Sequence, residues 1–300
     1  APAPADIHPV FSTKGYRLVY KEQYLQLIMS LVRDSEVYGL GEVVLPTGLA
    51  LPRDGKVIAL WNRDSPSAGP TDVNLYGSHP FLLQLVTAGE DAGTAAGLFF
   101  ANSHAADVEV WRGAAAWRFT GGVVDAYVML GPGPEDVVRQ YHAVIGLPAM
   151  PPRWSLGFHQ SRYGYASAAE LLSVVGEYKR AGIPLDVIWS DIDYMSKHYV
   201  FTFDKRQYPE SVMKHFVDGL HAQHMRWVPI LDPAVAADDG WEVYRSGVAA
   251  QAFVTHSGTV NGSTVPGDTQ YRPYIGQVWA GASAWPDYLS AQGAAWWGGQ

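Results

Sequence analysis

SAAELLSVVGEYKRAGIPLDVIWSDIDYM, residues 167–195, decides how the second half of this 300-residue chain is read. Residues 167–182 predict a helix. Ser167 and Glu170 have the spacing of a capping box, and Gly182 supplies the stop. Leu171, Val174, Val175 and Tyr178 recur at helical intervals. LDVIW, residues 185–189, then reads as a buried strand that turns polar only at its end, in Asp191 and Asp193. Alternation along a strand points both aspartates to one face. Two like charges placed together carry a cost that a ligand can repay. The competing account is that they brace a loop or cap the next element.

The flanking segments repeat the pattern. Upstream, WSLGFHQ (residues 154–160) reads as a strand ending in His159, Gln160, Ser161, Arg162 and Tyr163. Downstream, residues 211–225 predict a helix with Val212, Phe216, Val217 and Leu220 on one face. RWVPIL (226–231) then runs into Asp232-Pro233. Strand, helix, strand, helix, strand implies parallel pairing with right-handed crossovers. All three strands turn polar at the same end, which is where ligands bind in a barrel or doubly wound sheet. Asp232 before proline also fits a simple turn, and core packing competes as an account of Trp189, Trp227 and Trp279.

Before residue 150 the chain has another character. Short β-like runs at 24–31, 81–86, 97–102, 108–112 and 123–130 are punctuated by Gly, Pro and Asp. This predicts an antiparallel sandwich. GPGPEDVVRQYHAVIG (131–146) adds a turn and a helix with Pro134 and Glu135 in its first turn.

Composition narrows the function classes. With 48% hydrophobic and 17% charged residues the chain is of globular type. Its net charge of −8, without a basic stripe, argues against nucleic-acid or anionic-membrane partners. No stretch approaches the ~18 uninterrupted apolar residues of a membrane span. There is no cysteine, which excludes disulfides and thiolate chemistry. Of His215, His221 and His224 only the last two share a helix face, so a solvated face is expected there rather than zinc. No Walker A and no G-x-S-x-G motif is present. Aromatic residues reach 13%, which suits sugar rings and also fills cores. The opening APAPADIHPV lacks the regions of a signal peptide, and Asn261-Gly262-Ser263 is a glycosylation sequon.

Six motifs in order carry a specific resemblance: NLYGSHPF, MPPRWSLGFHQSRYGY, IPLDVIWSDIDYM, FTFD, ILDPAV and GQVWAGASAWPDY. From about Tyr24 to Trp297 the chain resembles glycoside hydrolase family 31, in the branch of acid α-glucosidases, maltases, and plant α-glucosidases and α-xylosidases. The resemblance implies a partial galactose-mutarotase-like β-sandwich over residues 1–147. The first part of a (β/α)8 barrel is implied over 148–300, with an insertion at about 236–276. It implies retaining, exo-acting hydrolysis of terminal α-linked glucose from maltose- or starch-derived substrates, with α-xylosides or non-catalytic sugar binding as alternatives. No metal or organic cofactor is implied, and a secreted, vacuolar or other secretory-pathway compartment is.

Residue by residue, Asp191 resembles the family aspartate that grips the outer hydroxyls of the terminal sugar, and Asp232 its neighbour that organises the pocket. Tyr163, Trp189, Ile230 and Trp279 correspond to apolar and aromatic walls, and Asp64 to an aspartate on a sandwich loop near the entering substrate. Asp193 is expected to brace the loop. Tyr163 stands in place of a frequent tryptophan, Ser161 of a cysteine, Ser190 of an asparagine, Ser196 of an aspartate and Ala280 of a proline. The changes at Tyr163 and Ser190 bear on subsite size. The family's W-x-D-M-N-E nucleophile motif does not occur in these residues, so no catalytic carboxyl is assigned within the chain. A whole barrel needs roughly 250 residues. The chain is therefore expected to be a piece of a longer protein, cut at both ends, with AAWWGGQ opening the third barrel helix.

Overall fold

A computed structural model describes residues 10–65, 72–255, 259–260, 263–264 and 271–300. The chain divides into two compact units, Ala1–Ala149 and Met150–Gln300.

Among the described residues the first unit contains nine strands: β1 (Val19–Lys21), β2 (Tyr24–Ser30), β3 (Ser35–Val43), β4 (Asp54–Leu60), β5 (Asn74–Val86), β6 (Ala95–Phe100), β7 (Ala106–Trp111), β8 (Ala114–Phe119) and β9 (Ala126–Met129). They form two antiparallel sheets, ordered β1-β2-β8-β7-β4 and β3-β5-β6-β9. The period of two makes each sheet two-faced. On β7, Ala106, Val108 and Val110 are buried while Asp107, Glu109 and Trp111 are not. Between the sheets lie Leu25, Val37, Leu82, Phe100, Val108, Trp117 and Phe119. The Trp117 and Phe100 rings pack with centroids 4.9 Å apart. The β3–β5 ladder is irregular around Gly39 and Gly41. At Gly39 φ is +114°, and a Cβ would stand 2.3 Å from the Phe81 carbonyl oxygen, so only glycine lets the strands approach there. Helix α1 (Pro134–Ile145) packs on the second sheet through Val137 and Tyr141, the latter stacked on Phe81 at 4.2 Å.

In the second unit β10 (His159–Gln160), α2 (Ala168–Ala181), β11 (Val187–Ser190), α3 (Glu210–His221) and β12 (Arg226–Pro229) alternate. The three strands pair in parallel, in the order β10-β11-β12. Ile188 is fully buried in one cluster with Leu171 of α2 and Met213, Phe216 and Leu220 of α3. Ser167 caps α2, accepting from the Glu170 N–H at 3.2 Å, and Gly182 ends it at φ +67°.

Three local expectations are corrected. WSLGFHQ is not one strand: Arg153–Leu156 is a 3-10 turn and only two residues join the sheet. The Phe158 N–H is taken by the Asp186 carboxylate at 2.9 Å instead of entering the ladder. The capping box of α2 is half formed, because Glu170 accepts from the Ala166 N–H and not from Ser167. Helix α3 faces the core with Met213, Phe216 and Leu220, while Val212 is 41% exposed. Phe216, Leu220 and the partly buried Val217 lie on the expected face, and Met213, at i, i+3, i+7 spacing with Phe216 and Leu220, takes the place of Val212.

After β12 come β13 (Val235–Ala236), α4 (Glu242–Ala249), the hairpin β14 (Thr259–Val260) and β15 (Ser263–Thr264), β16 (Ile275–Val278), β17 (Gly281–Ala284) and α5 (Ala291–Gly298). A three-stranded sheet is ordered β13-β17-β16. The sequon asparagine, Asn261, lies outside the described residues.

Candidate functional site

The C-terminal ends of β10, β11 and β12 carry the polar residues singled out in the sequence. β11 ends at Ser190, whose carbonyl accepts from the Ile230 N–H at 2.9 Å. The chain then enters a 3-10 turn, Ile192–Tyr194, capped by Asp191. Asp191 Oδ1 accepts from the Ile192 N–H at 2.7 Å. Its other oxygen takes no hydrogen bond among the described residues, and the side chain is half-buried.

Asp193 is oriented differently. Its Oδ2 accepts from the Gly164 N–H at 2.9 Å and so ties the turn after β11 to the loop after β10. The two carboxylates therefore do not act as one pair on a strand face, contrary to the alternation argument. Strand geometry stops at Ser190, and a 3-10 turn separates i from i+2.

After β12, Asp232 Oδ2 accepts from the Trp279 indole N–H at 2.9 Å. The Trp279 ring is 61% exposed, so core packing does not account for it. Trp227 is the opposite case. It is partly buried against Tyr194 and Phe203, and its N–H donates to Ser190 Oγ at 2.8 Å. A tryptophan N–H thus reaches the hydroxyl at the position where asparagine is frequent in the resembling family.

Tyr194, which was not singled out in the sequence, joins the two strand ends. Its hydroxyl donates to the Ile230 carbonyl at 2.8 Å. Burial, and after it the negative charge of Asp232, push its phenol up to about 12. Ile230 and Trp189 are partly buried. Trp189 donates its indole N–H to His159 Nδ1 at 2.9 Å. The sequence signal for both partners was weak: an aromatic inside an aspartate-rich turn, and a histidine at a strand end.

Asp191, Ile230, Asp232 and Trp279 are thus linked through Ser190 and Tyr194. Trp189 is the last-but-one residue of β11, immediately before Ser190. Tyr163 is 66% exposed on the loop that Asp193 holds. Asp64 belongs to the first unit, on the loop after β4, where the Tyr76 hydroxyl donates to its Oδ1 at 2.7 Å. That bond raises the Tyr76 phenol, with lesser help from desolvation. Among the described residues no group of three or more His, Cys, Asp or Glu is arranged to hold a metal, and no helix is long and apolar enough to cross a membrane.

Comparison with known proteins places both units. Residues 148–300 match the family model for the glycosyl hydrolases family 31 TIM-barrel domain. Residues 10–109 match that for the glycosyl hydrolase 31 N-terminal galactose mutarotase-like domain. The chain is 41% identical over 284 residues to lysosomal alpha-glucosidase of Mus musculus, across 93% of this chain and 27% of that protein. It is 37% identical over 281 residues to alpha-xylosidase 1 of Arabidopsis thaliana, across 94% of this chain and 29% of that one. The crystal structure of a family 31 alpha-glucosidase from Bacteroides thetaiotaomicron superposes with a TM-score of 0.75 at 27% identity, over 91% of this chain and 43% of that one. The chain thus spans less than a third of the length of either curated relative. The architecture expected from sequence, a mutarotase-like sandwich followed by the opening of a (β/α)8 barrel, is the one found.

Proposed function

The chain belongs to glycoside hydrolase family 31, and on that premise we propose that the full-length protein is a retaining, exo-acting α-glucosidase. It removes terminal α-linked glucose from maltose- or starch-derived substrates, and these residues supply the part of its site that recognises the sugar. The observation that carries the reading is Asp191: one oxygen is anchored to the Ile192 N–H, and the other is left for a ligand at the polar end of the sheet. A carboxylate oxygen accepting from sugar hydroxyls makes a charge-assisted bond, roughly twice as strong as a neutral one. Asp232, held by Trp279, organises the neighbouring side of the pocket, and Tyr163, Trp189, Ile230 and Trp279 wall the ring. Asp64 keeps, in this reading, the sugar contact that family resemblance gives it.

Retention needs a nucleophile and an acid/base about 5–5.5 Å apart. Asp191 and Asp193 are not proposed as that pair: both follow the end of β11, where Asp191 matches the family's hydroxyl-binding position and Asp193 ties the turn to the Gly164 N–H. The bond-breaking carboxyls belong, in this proposal, to other parts of the full-length protein. A secretory-pathway compartment fits the lysosomal name of the mouse relative. The name of the Arabidopsis relative supports a second reading, α-xylosidase.

The test is hydrolysis of p-nitrophenyl α-glucoside and α-xyloside by the full-length protein and by residues 1–300 alone, with the first-released anomer read by NMR. Glucoside turnover with α-glucose released first is expected from the full-length protein, and none from the 300-residue chain. Preference for the xyloside would select the second reading. Sugar binding without turnover by the full-length protein would leave a carbohydrate-binding protein. Turnover by residues 1–300, abolished by a substitution within them, would refute the placement of the catalytic carboxyls.

A further inference from the structure

Gln160 of β10 turns toward α2, where its amide donates to the Tyr165 hydroxyl at 2.8 Å and its carbonyl accepts from Tyr178. His159, its neighbour on the strand, faces the other way. Trp189 does the same on β11, opposite to Ile188, which packs against α2 and α3. The two side chains meet on the inner face of the sheet, with His159 Nδ1 2.9 Å from Trp189 Nε1. His159 Nε2 lies 3.1 Å from the Ser155 carbonyl oxygen.

These two contacts determine the state of the imidazole. An indole N–H only donates, and a carbonyl oxygen only accepts. Both bonds form together only in the neutral ring with its proton on Nε2, because an imidazolium would oppose the indole N–H with a second donor. The ring is further held by Trp154, stacked at 6.4 Å between centroids. Ser155 is itself fixed in the 3-10 turn, its N–H donating to the Pro152 carbonyl at 3.0 Å. His159 is therefore anchored from below, and its one remaining nitrogen ends on Trp189. Trp189 is only partly buried, and its indole N–H is directed to His159 Nδ1. The hydrogen bond favours one orientation of the indole.

We propose that His159 is a positioning residue: it locks the Trp189 indole in the orientation that walls the sugar bound beside Asp191. The assignment rests on the sugar-site reading above, and it adds to that reading the group that sets the wall's geometry.

Three substitutions in the full-length protein separate the possibilities. His159→Gln keeps a donor at the ε position for the Ser155 carbonyl and loses the δ acceptor. His159→Asn places an amide oxygen at the δ position, where it can accept from Trp189. Trp189→Phe removes the donor. Losing a neutral hydrogen bond of this kind corresponds to about a five- to tenfold fall in kcat/KM. That fall is expected for His159→Gln, mainly through KM, with His159→Asn recovering most of it. In a Trp189→Phe background, His159→Gln should cost nothing more, as for two groups sharing one interaction.

Independent, multiplying losses in the double variant, or a His159→Asn enzyme no better than His159→Gln, would overturn the assignment while leaving a functional glycosidase. If His159→Gln does not fold, a tenfold rise in KM for His159→Asn overturns it equally. A full-length protein inactive on every α-glycoside would overturn the glycosidase reading, and this assignment with it.

Discussion

Replacing Asp191 by asparagine isolates the charge of one oxygen. The Oδ1 that accepts from the Ile192 N–H at 2.7 Å is kept as the amide oxygen, so the cap of the Ile192–Tyr194 turn survives. Asparagine and aspartate cap about equally well. The second oxygen, which takes no bond among the described residues, becomes an NH2 group that donates where a carboxylate accepted. In the full-length protein the loss of a charged hydrogen bond, about 1.5–3 kcal/mol, lowers kcat/KM on p-nitrophenyl α-glucoside by about ten- to 150-fold. A bond that tightens in the transition state would deepen the loss in kcat. The melting temperature should hardly move. Asp193→Ala is the control: it frees the Gly164 N–H and unties the loops after β10 and β11, so its main effect is on thermal stability. Asp191→Asn with kcat/KM within twofold of wild type would refute the assignment. So would an Asp193→Ala variant that matched its kinetic loss at unchanged melting temperature.

Two further substitutions test the frame around the site. Tyr194→Phe deletes the bond to the Ile230 carbonyl and should cost about 1–3 kcal/mol, seen in chemical denaturation. It should also flatten part of the alkaline loss of stability. The Tyr194 phenol is raised from 10.0 to about 12, so the unfolded state gives up its proton first. The stability from this group is fully present below pH 10 and disappears as pH climbs to 12. Wild type and variant with parallel melting-temperature profiles over that window would contradict this. Ser167→Ala removes the cap of α2 and should destabilise by about 1 kcal/mol, read as a melting temperature lower by a few degrees. An unchanged melting temperature would mean that the 3.2 Å contact with the Glu170 N–H adds nothing.

The elements that sequence made legible are those whose own residues decide them. Helix α2 begins at Ser167 and stops at Gly182 because a hydroxyl cap and a left-handed glycine act locally. The sandwich strands were legible because alternation is imposed by two-faced sheets, as on β7. Errors arose where a partner distant in sequence intervened. The strand at residues 154–160 is shortened by the carboxylate of Asp186, some thirty positions on. The buried face of α3 depends on how far Met213 reaches into a cluster built from both helices and β11.

The site divides along the same line. That three strands turn polar at one end is a statement about each strand separately, and it singled out Asp191 and Asp232, whereas Ile230 was singled out only by the family resemblance. How those residues face each other is a statement about register and about where β11 stops. Ser190 is the last residue in the ladder, because its carbonyl receives the Ile230 N–H and the next residue caps a turn. In an extended chain Asp191 and Asp193 would have shared a face; in a turn of about three residues they part. Asp191 then caps the turn at the strand end through the Ile192 N–H, while Asp193 reaches across to the Gly164 N–H of the loop after β10. The same dependence hid His159. Only the pairing of His159 with Val187 across β10 and β11 brings its imidazole to the Trp189 indole, and that register cannot be read from either strand alone.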